Sequence, residues 1–493
     1  MGRPALICTT SAVLATILCA CGGSSSGSHA VPAAGASPGS GAPAQNHGGR
    51  PGGQRRTLAL ASCSSNATGS FVGGSVAGYA GGYQSFVGAG YSNAACQGDS
   101  SIVAGYDNLV SQGGAESSFI GGGQKNAIDG EYGAYSAIVA GDGNSLSAAD
   151  ASIAGGAANN ITADYSSIGG GQSNVVKGAW SFVGGGTTNQ NTLGGWFAVI
   201  GGGQYNTVGG YYGGAIVGGR QNSVSGTDAF VGGGYTNSVS ADYTAIAGGN
   251  TNTVTGEYGF IGAGTNNNVS GAGGYIASGG YNTVSGEGAV VDGGYLQTAS
   301  GAFATVPGGY ENVASGTYSF AAGERAQAQQ TGTFVWSDGS DGTAFLKSSR
   351  AYQFLARASG GFTLYTNAGS TVGAQLSAGS GTWASLSDRD AKTDVVPLDA
   401  DSVLRKVASL PISSWSYRTQ HGVRHVGPMA QDFYAAFNVG EDDKHITSID
   451  EDGVALAAVK ALHARVGALD AQNREMRAEL RELRVEVRAL RSR

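Results

Sequence analysis

The hexapeptide Ser387-Asp388-Arg389-Asp390-Ala391-Lys392 sets a hydroxyl nucleophile five residues ahead of an amine that can serve as its base. A serine hydroxyl attacks a peptide carbonyl only if a neighbour takes its proton, and a lysine does that only when desolvation keeps it neutral near pH 7. The motif stands between a glycine-rich repeat array and a C-terminal heptad pattern. That position predicts a chain that cuts itself, freeing a long fibre from an assembly domain. Ser-x4-Lys pairs are common on protein surfaces, so the meaning of this one rests on the elements around it.

Those elements have an unusual composition. Of 493 residues, 88 are glycine, 9 are proline and only 12% are charged, which excludes an ordinary globular enzyme. Collagen needs glycine at every third position and abundant proline, so the glycine here must serve turns. The net charge is −7, and Lys125, Lys177 and Arg220 are the only basic residues between about 70 and 320. No nucleic-acid partner is expected from such a surface. The histidines are dispersed and no Cys-x-x-Cys occurs, so neither a metal site nor a cofactor is expected.

Residues 1–21 carry Arg3 and an apolar stretch from Ala5 to Leu18, which reads as an export signal too short to span a membrane. Leu18-Cys19-Ala20-Cys21 resembles the bacterial lipoprotein lipobox, which implies cleavage before Cys21, lipidation of its thiol and a place on the outer membrane or cell surface. Residues 22–56 are Gly, Ser, Ala and Pro with almost no large apolar side chain, so they read as a disordered spacer. Cys8 and Cys19 leave with the signal. Cys63 and Cys96 remain, and sequence leaves open whether they pair.

Residues 57–331 read as one repeat array with a period near 15, cleanest in AFVGGGYTNSVSADY (229–243) and the units after it. The third position is branched and apolar (Val231, Ile246, Ile261, Ile276), the sixth is glycine, the ninth is usually asparagine, and the eleventh is Val or Ala. Each unit predicts two short strands and two turns, with Val and Ile inward and with Gly and Asn taking positive φ. About sixteen stacked coils at about 4.8 Å each would make a rod of roughly 75 Å. The units resemble the head repeats of YadA-like trimeric autotransporter adhesins, which implies a trimeric left-handed parallel β-roll. Exposed tyrosines such as Tyr235, Tyr243, Tyr258, Tyr281, Tyr295 and Tyr310 either meet a glycan or cover the roll and its seams.

Residues 332–386 alternate as half-buried strands and read as a β cap closing the rod. From 387 to 493 the composition is that of an α+β domain ending, from about 455, in a coiled coil. Its a/d seam runs from Val459 and Leu462 to Val487 and Leu490, with Asn473 at an a position. These a/d residues are too mixed to choose trimer over dimer.

The whole stretch from Ser387 resembles the intramolecular chaperone, auto-processing domain of phage endosialidase tailspikes and tail fibres. The matching residues include Ser387-Asp388 with Lys392, Trp415-Ser416-Tyr417, Arg424-His425-Val426-Gly427-Pro428 and Asp452-Gly453-Val454-Ala455-Leu456. The resemblance implies a domain that trimerises, templates the fibre and then cleaves the chain at Leu386–Ser387, with Ser387 as nucleophile and Lys392 as base. Asp388 and His425 are candidate supporting residues.

The expected protein is thus mainly β: a lipid-anchored homotrimeric surface fibre, adhesin-like or structural, with a single-turnover self-cleaving serine peptidase domain. The alternative is a tailspike-like protein that binds or degrades glycans. Glycan hydrolysis would need paired carboxylates, for which the array offers Glu131, Asp164, Asp228 and Glu257.

Overall fold

In a computed structural model of the protein, the described residues are Cys63, 67–129, 133–192 and 194–492. The repeat array is a parallel β-solenoid of about eighteen turns. Each coil gives one two-residue strand to each of two parallel sheets. In the first sheet Phe230–Val231 pairs with Ala245–Ile246, and in the second Ser238–Val239 pairs with Thr253–Val254. The expected inward positions are the core: Val231, Val239, Ile246 and Val254 are each 0% exposed. Side chains alternate along a strand, so a two-residue strand buries one residue and exposes the other. A single coil buries too little apolar surface to offset its own ordering, and only stacking makes the core continuous.

The ninth-position asparagines do not take positive φ, contrary to expectation. They are fully buried and form a ladder inside the roll. Asn252 donates through Nδ2 to the carbonyls of Gly248 (3.1 Å) and Gly264 (2.9 Å), and its Oδ1 accepts from the Asn267 amide at 3.0 Å. The same pattern recurs at Asn222, Asn237 and Asn282, and Gln297 takes the ladder position in one coil. A hydroxyl could donate only once, whereas an amide donates twice and accepts at the same time, which is why asparagine recurs at a site with no access to water.

Positive φ instead belongs to the sixth-position glycines and to two corners. Gly249 has φ +101°, and a Cβ there would run into the carbonyl of Gly264. The corners hold bulkier residues: Thr251 and Tyr258 sit at φ 56° and 58°. Their amides point backward, from Thr251 to the Tyr235 carbonyl (2.9 Å) and from Tyr258 to the Asp242 carbonyl (3.2 Å), while strand amides donate forward to the next coil. The left-handed turns thus complete the backbone hydrogen bonds in both directions along the rod, which offsets their conformational cost. Cys63 and Cys96 pair, with Cα atoms 5.3 Å apart, tying the chain ahead of the first coil to the second.

The parallel ladder runs past residue 332. Phe334–Asp338 still pairs with Phe320–Glu324, and Phe354–Arg357 in turn with Phe334–Asp338, with the rings of Phe320, Phe334 and Phe354 4.7 and 4.6 Å apart. Only then does the topology change, to an antiparallel sheet of Gly361–Tyr365, Gly373–Ser377 and Ala384–Ser385. Asp338 joins the two parts. Its carboxylate accepts from the Ser359 amide at 2.6 Å and from the Ser340 amide and hydroxyl at 3.1 and 2.8 Å. These bonds, those from Ser359 first, hold its pKa well below the usual carboxylate range.

A depressed folded-state pKa contributes stability above the unfolded value of about 3.9, and that stability is lost as pH falls through the folded value. Hydrogen exchange at Ser359 should therefore stay flat from pH 8 to about 4, after correction for the intrinsic rate, and rise only in stronger acid. Asp338→Asn should abolish that acid step; an unchanged step would refute the role given to Asp338.

The C-terminal region is a small α/β unit. Helix α1 (Ala400–Ser409) is capped by Asp399, which accepts from the amides of Asp401 and Ser402. A two-stranded antiparallel ribbon joins Ser413–Trp415 to His425–Gly427. Helix α2 (Ala430–Phe437) follows, and α3 (Ser448–Arg491) is one continuous helix capped by Thr447. Among the described residues from 387 onward, the buried apolar side chains are Val403, Phe433, Ala458 and Ala461. A core that small cannot offset the ordering of such a region by itself.

Candidate functional site

The Ser387–Lys392 pair lies just beyond Ala384–Ser385, the last strand of the three-stranded antiparallel sheet. The chain then makes one 3-10 turn, Arg389–Ala391. Asp388 caps it: its side chain accepts from the Asp390 amide at 3.1 Å. The Lys392 amide closes the turn on the Arg389 carbonyl at 3.1 Å. Asp is a strong cap because its short carboxylate reaches the free amides of a first turn. The turn folds the chain back so that Lys392 Nζ donates to Ser387 Oγ at 2.6 Å. Nucleophile and amine are within proton-transfer reach, and Asp388 has a positional part in bringing them together. The whole segment is exposed in the single chain.

His425 is placed elsewhere in its contacts. Its ring stacks on Trp415 at 4.8 Å and meets Tyr417 edge-on at 5.5 Å, and Nε2 lies 3.0 Å from Gln420 Oε1. Among the described residues no hydrogen bond joins it to Ser387 or Lys392. The lipidation candidate, Cys21, lies outside the described residues, as does Glu131. Asp164 is engaged by the coil before it, accepting from the Ala149 amide at 2.9 Å. No helix among the described residues is long and apolar enough to cross a membrane, and no group of metal-ligating side chains occurs among them.

The feature that residue-by-residue reading missed is the apolar surface around the pair. Val395, Val396 and Leu398, just after the pair, are 77, 76 and 67% exposed. The seam of α3 is equally bare, with Val459, Leu462, Leu483 and Leu490 between 51 and 70% exposed. The heptads carry a sequence signal for this, but Val395, Val396 and Leu398 show no period that could mark their outward face. So many large apolar side chains exposed on one small unit mark a surface that meets a partner.

The tyrosines run in separate rows: Tyr243 and Tyr258 stack at 5.4 Å, while Tyr281, Tyr295 and Tyr310 follow one another at 5.3 and 6.1 Å.

Residues 387–439 match the family described as chaperone of endosialidase. Residues 224–323 match the family described as grass antifreeze beta roll. No curated protein matches the chain. The C-terminal region therefore carries a chaperone-of-endosialidase domain, a family that implies autoproteolytic cleavage in general. The likeness to adhesin head repeats is not what these matches show; the repeats match the antifreeze roll instead. A β-solenoid rod followed by this domain fits a fibre or tailspike-like protein.

Proposed function

We propose that the chain is an exported, lipid-anchored homotrimeric surface fibre whose C-terminal domain templates assembly and then releases itself by one cleavage at Leu386–Ser387. The observation that carries this is the 2.6 Å contact between Lys392 Nζ and Ser387 Oγ at the first residue of the chaperone-of-endosialidase match. The Ser387 hydroxyl attacks the Leu386 carbonyl carbon, Lys392 takes the hydroxyl proton, and the Ser387 nitrogen leaves as an amine on receiving it. The resulting ester is hydrolysed by water, giving a Leu386 carboxylate and a free Ser387 N-terminus.

Lysine is a base only when neutral, and the pair is open to water in one chain. Neighbouring copies, covering Val395, Val396 and Leu398, would supply the desolvation, so cleavage would wait for assembly. Loss of the template would then leave the rod no refolding path, making its persistence kinetic.

Intact masses and light scattering of the expressed full chain test this. A trimer containing a fragment that starts at Ser387, with no such fragment from Ser387→Ala, is the expected result. A folded wild-type trimer left whole would overturn the cleavage reading, and a folded monomer would overturn the assembly reading.

A second reading for the rod, binding to ice, has one specific observation behind it. The outward residues of the second sheet are hydroxylic over many coils, as in Ser238 and Ser240, Thr253 and Thr255, and Thr283 and Ser285. A measurable thermal hysteresis from the purified fibre would support it, and freezing at the melting point would exclude it.

A further inference from the structure

The two outer faces of the roll are built on one backbone plan, yet they carry opposite chemistry. On the second sheet the outward residues on either side of each buried one are mainly Ser, Thr and Asn, with Asp129 and Lys177 among them. On the first sheet the corresponding outward residues from Phe71 to Ala277 are uncharged, and the next coil carries one charge, the exposed Asp292. Up to Ala277 they are Phe, Val, Ala, Gly and Ser with one Tyr, and the large ones stand out: Phe71 is 58% exposed, Val139 53% and Val217 59%. If both faces met only water, nothing would set Phe and Val along one and hydroxyls along the other for so many coils.

A second observation concerns the glycines. The sixth-position glycines are required by the chain itself, as at Gly249. Three fifth-position glycines are not: at Gly202, Gly218 and Gly248 an added Cβ would meet nothing within 4 Å, and none of them has a φ in the left-handed region. For one chain, alanine at such a site is the better residue by about 0.4–1 kcal/mol, because glycine adds entropy to the unfolded state. Every residue along this edge is small, with Ala89, Ala104, Ala140, Ala263 and Ser278 among the glycines, and at Gly202, Gly218 and Gly248 nothing inside the chain requires glycine. Close approach of another backbone supplies a reason.

We propose that the outer face of the first sheet is the surface by which the roll packs against further copies of this chain, with the faces turned toward a common axis and the fifth-position row of small residues at the closest approach. This rests on the homotrimer reading above. The occupant is a second copy because the α3 seam, with Leu462 51% and Leu483 54% exposed, is itself built to meet copies of the same helix. Copies held in parallel meet level for level, so a face that repeats with the coil repeats its contact with the coil. The area is adequate: roughly 85 Å by about 10 Å, on the order of 900 Å² per chain, from the strand and residue spacings. Stable interfaces bury about 800 Å² per partner. The second sheet is left facing water.

The test uses single cysteines in the full chain at outward positions one coil apart, Ala247→Cys on the first sheet and Ser240→Cys on the second, with Val217→Cys as an independent first-sheet site. Each is treated with a maleimide, the modified peptide is read by mass spectrometry, and light scattering is run on the same sample. In a trimer, positions 247 and 217 should react at least tenfold more slowly than 240, and the difference should vanish when the trimer is dissociated. Equal rates at 247, 217 and 240 in a sample of trimeric mass would overturn the face while leaving the trimer standing. A monomeric mass with an intact roll would overturn both together. Protection at 240 instead would assign the contact to the second sheet.

Discussion

Lys392→Met should leave the Leu386–Ser387 bond whole for at least a hundred times longer than in the unaltered chain, with the assembled fibre otherwise unchanged. The magnitude comes from the part assigned to the amine. A positioned general base contributes typically about 10²–10⁴ in rate, and methionine keeps the length of the side chain while removing the proton acceptor. Lys392→Arg makes the sharper comparison. A guanidinium can still hydrogen-bond to Ser387 Oγ, so it restores positioning, but it stays protonated and cannot act as base. If the lysine acts as base, the arginine variant is as slow as the methionine variant. If the 2.6 Å contact serves only to orient the hydroxyl, arginine recovers most of the rate, and the base assignment fails. Asp388→Asn should have a smaller effect, because an amide oxygen can still accept from the Asp390 amide.

Asn252→Asp is expected to be the most damaging single-atom change in the roll, worth about 3–5 kcal/mol when an uncompensated charge is left buried. Nδ2 of Asn252 donates to the carbonyls of Gly248 and Gly264. A carboxylate turns both contacts repulsive and has no water in reach. Asn252→Ala should cost less, about 1–3 kcal/mol, chiefly from the Asn267 amide that loses its acceptor. Asn252→Gln should cost least, since Gln297 already fills the ladder position between Asn282 and Asn312. Thermal unfolding should rank the variants Gln, Ala, Asp in order of increasing damage. In a solenoid each coil is held only by its neighbours, so the aspartate should also split the melt, with hydrogen exchange rising first around residue 252. An aspartate variant melting with the wild type would refute the buried ladder.

The inward residues of the roll were legible because their signal is local. A branched apolar side chain every fifteen residues, between turn-forming residues, has one economical arrangement, and Val231, Ile246 and Ile261 occupy it. Asparagine was misread for the same reason. Its local tendency is toward turns and left-handed backbone, and that tendency loses to hydrogen bonds with coils that adjoin it in space but lie fifteen residues away. The backward-pointing corners at Thr251 and Tyr258 were likewise invisible, since neither residue type favours positive φ on its own.

Around the Ser387–Lys392 pair the division runs along the same line. Residue type and the ordered motifs of the C-terminal stretch were enough to find the chaperone-of-endosialidase domain. The 3-10 turn that sets Lys392 Nζ against Ser387 Oγ, and the exposure of Val395, Val396 and Leu398 beside them, appear only once the chain is folded. Sequence alone determined the period, the inward Val and Ile, the helix seam and the domain, because each of these is written in residues close along the chain. Tertiary structure alone decided what the buried amides bond to and which face of the roll gathers the exposed Phe and Val side chains. Those depend on which coil lies above which, and on which apolar side chains one chain is unable to cover.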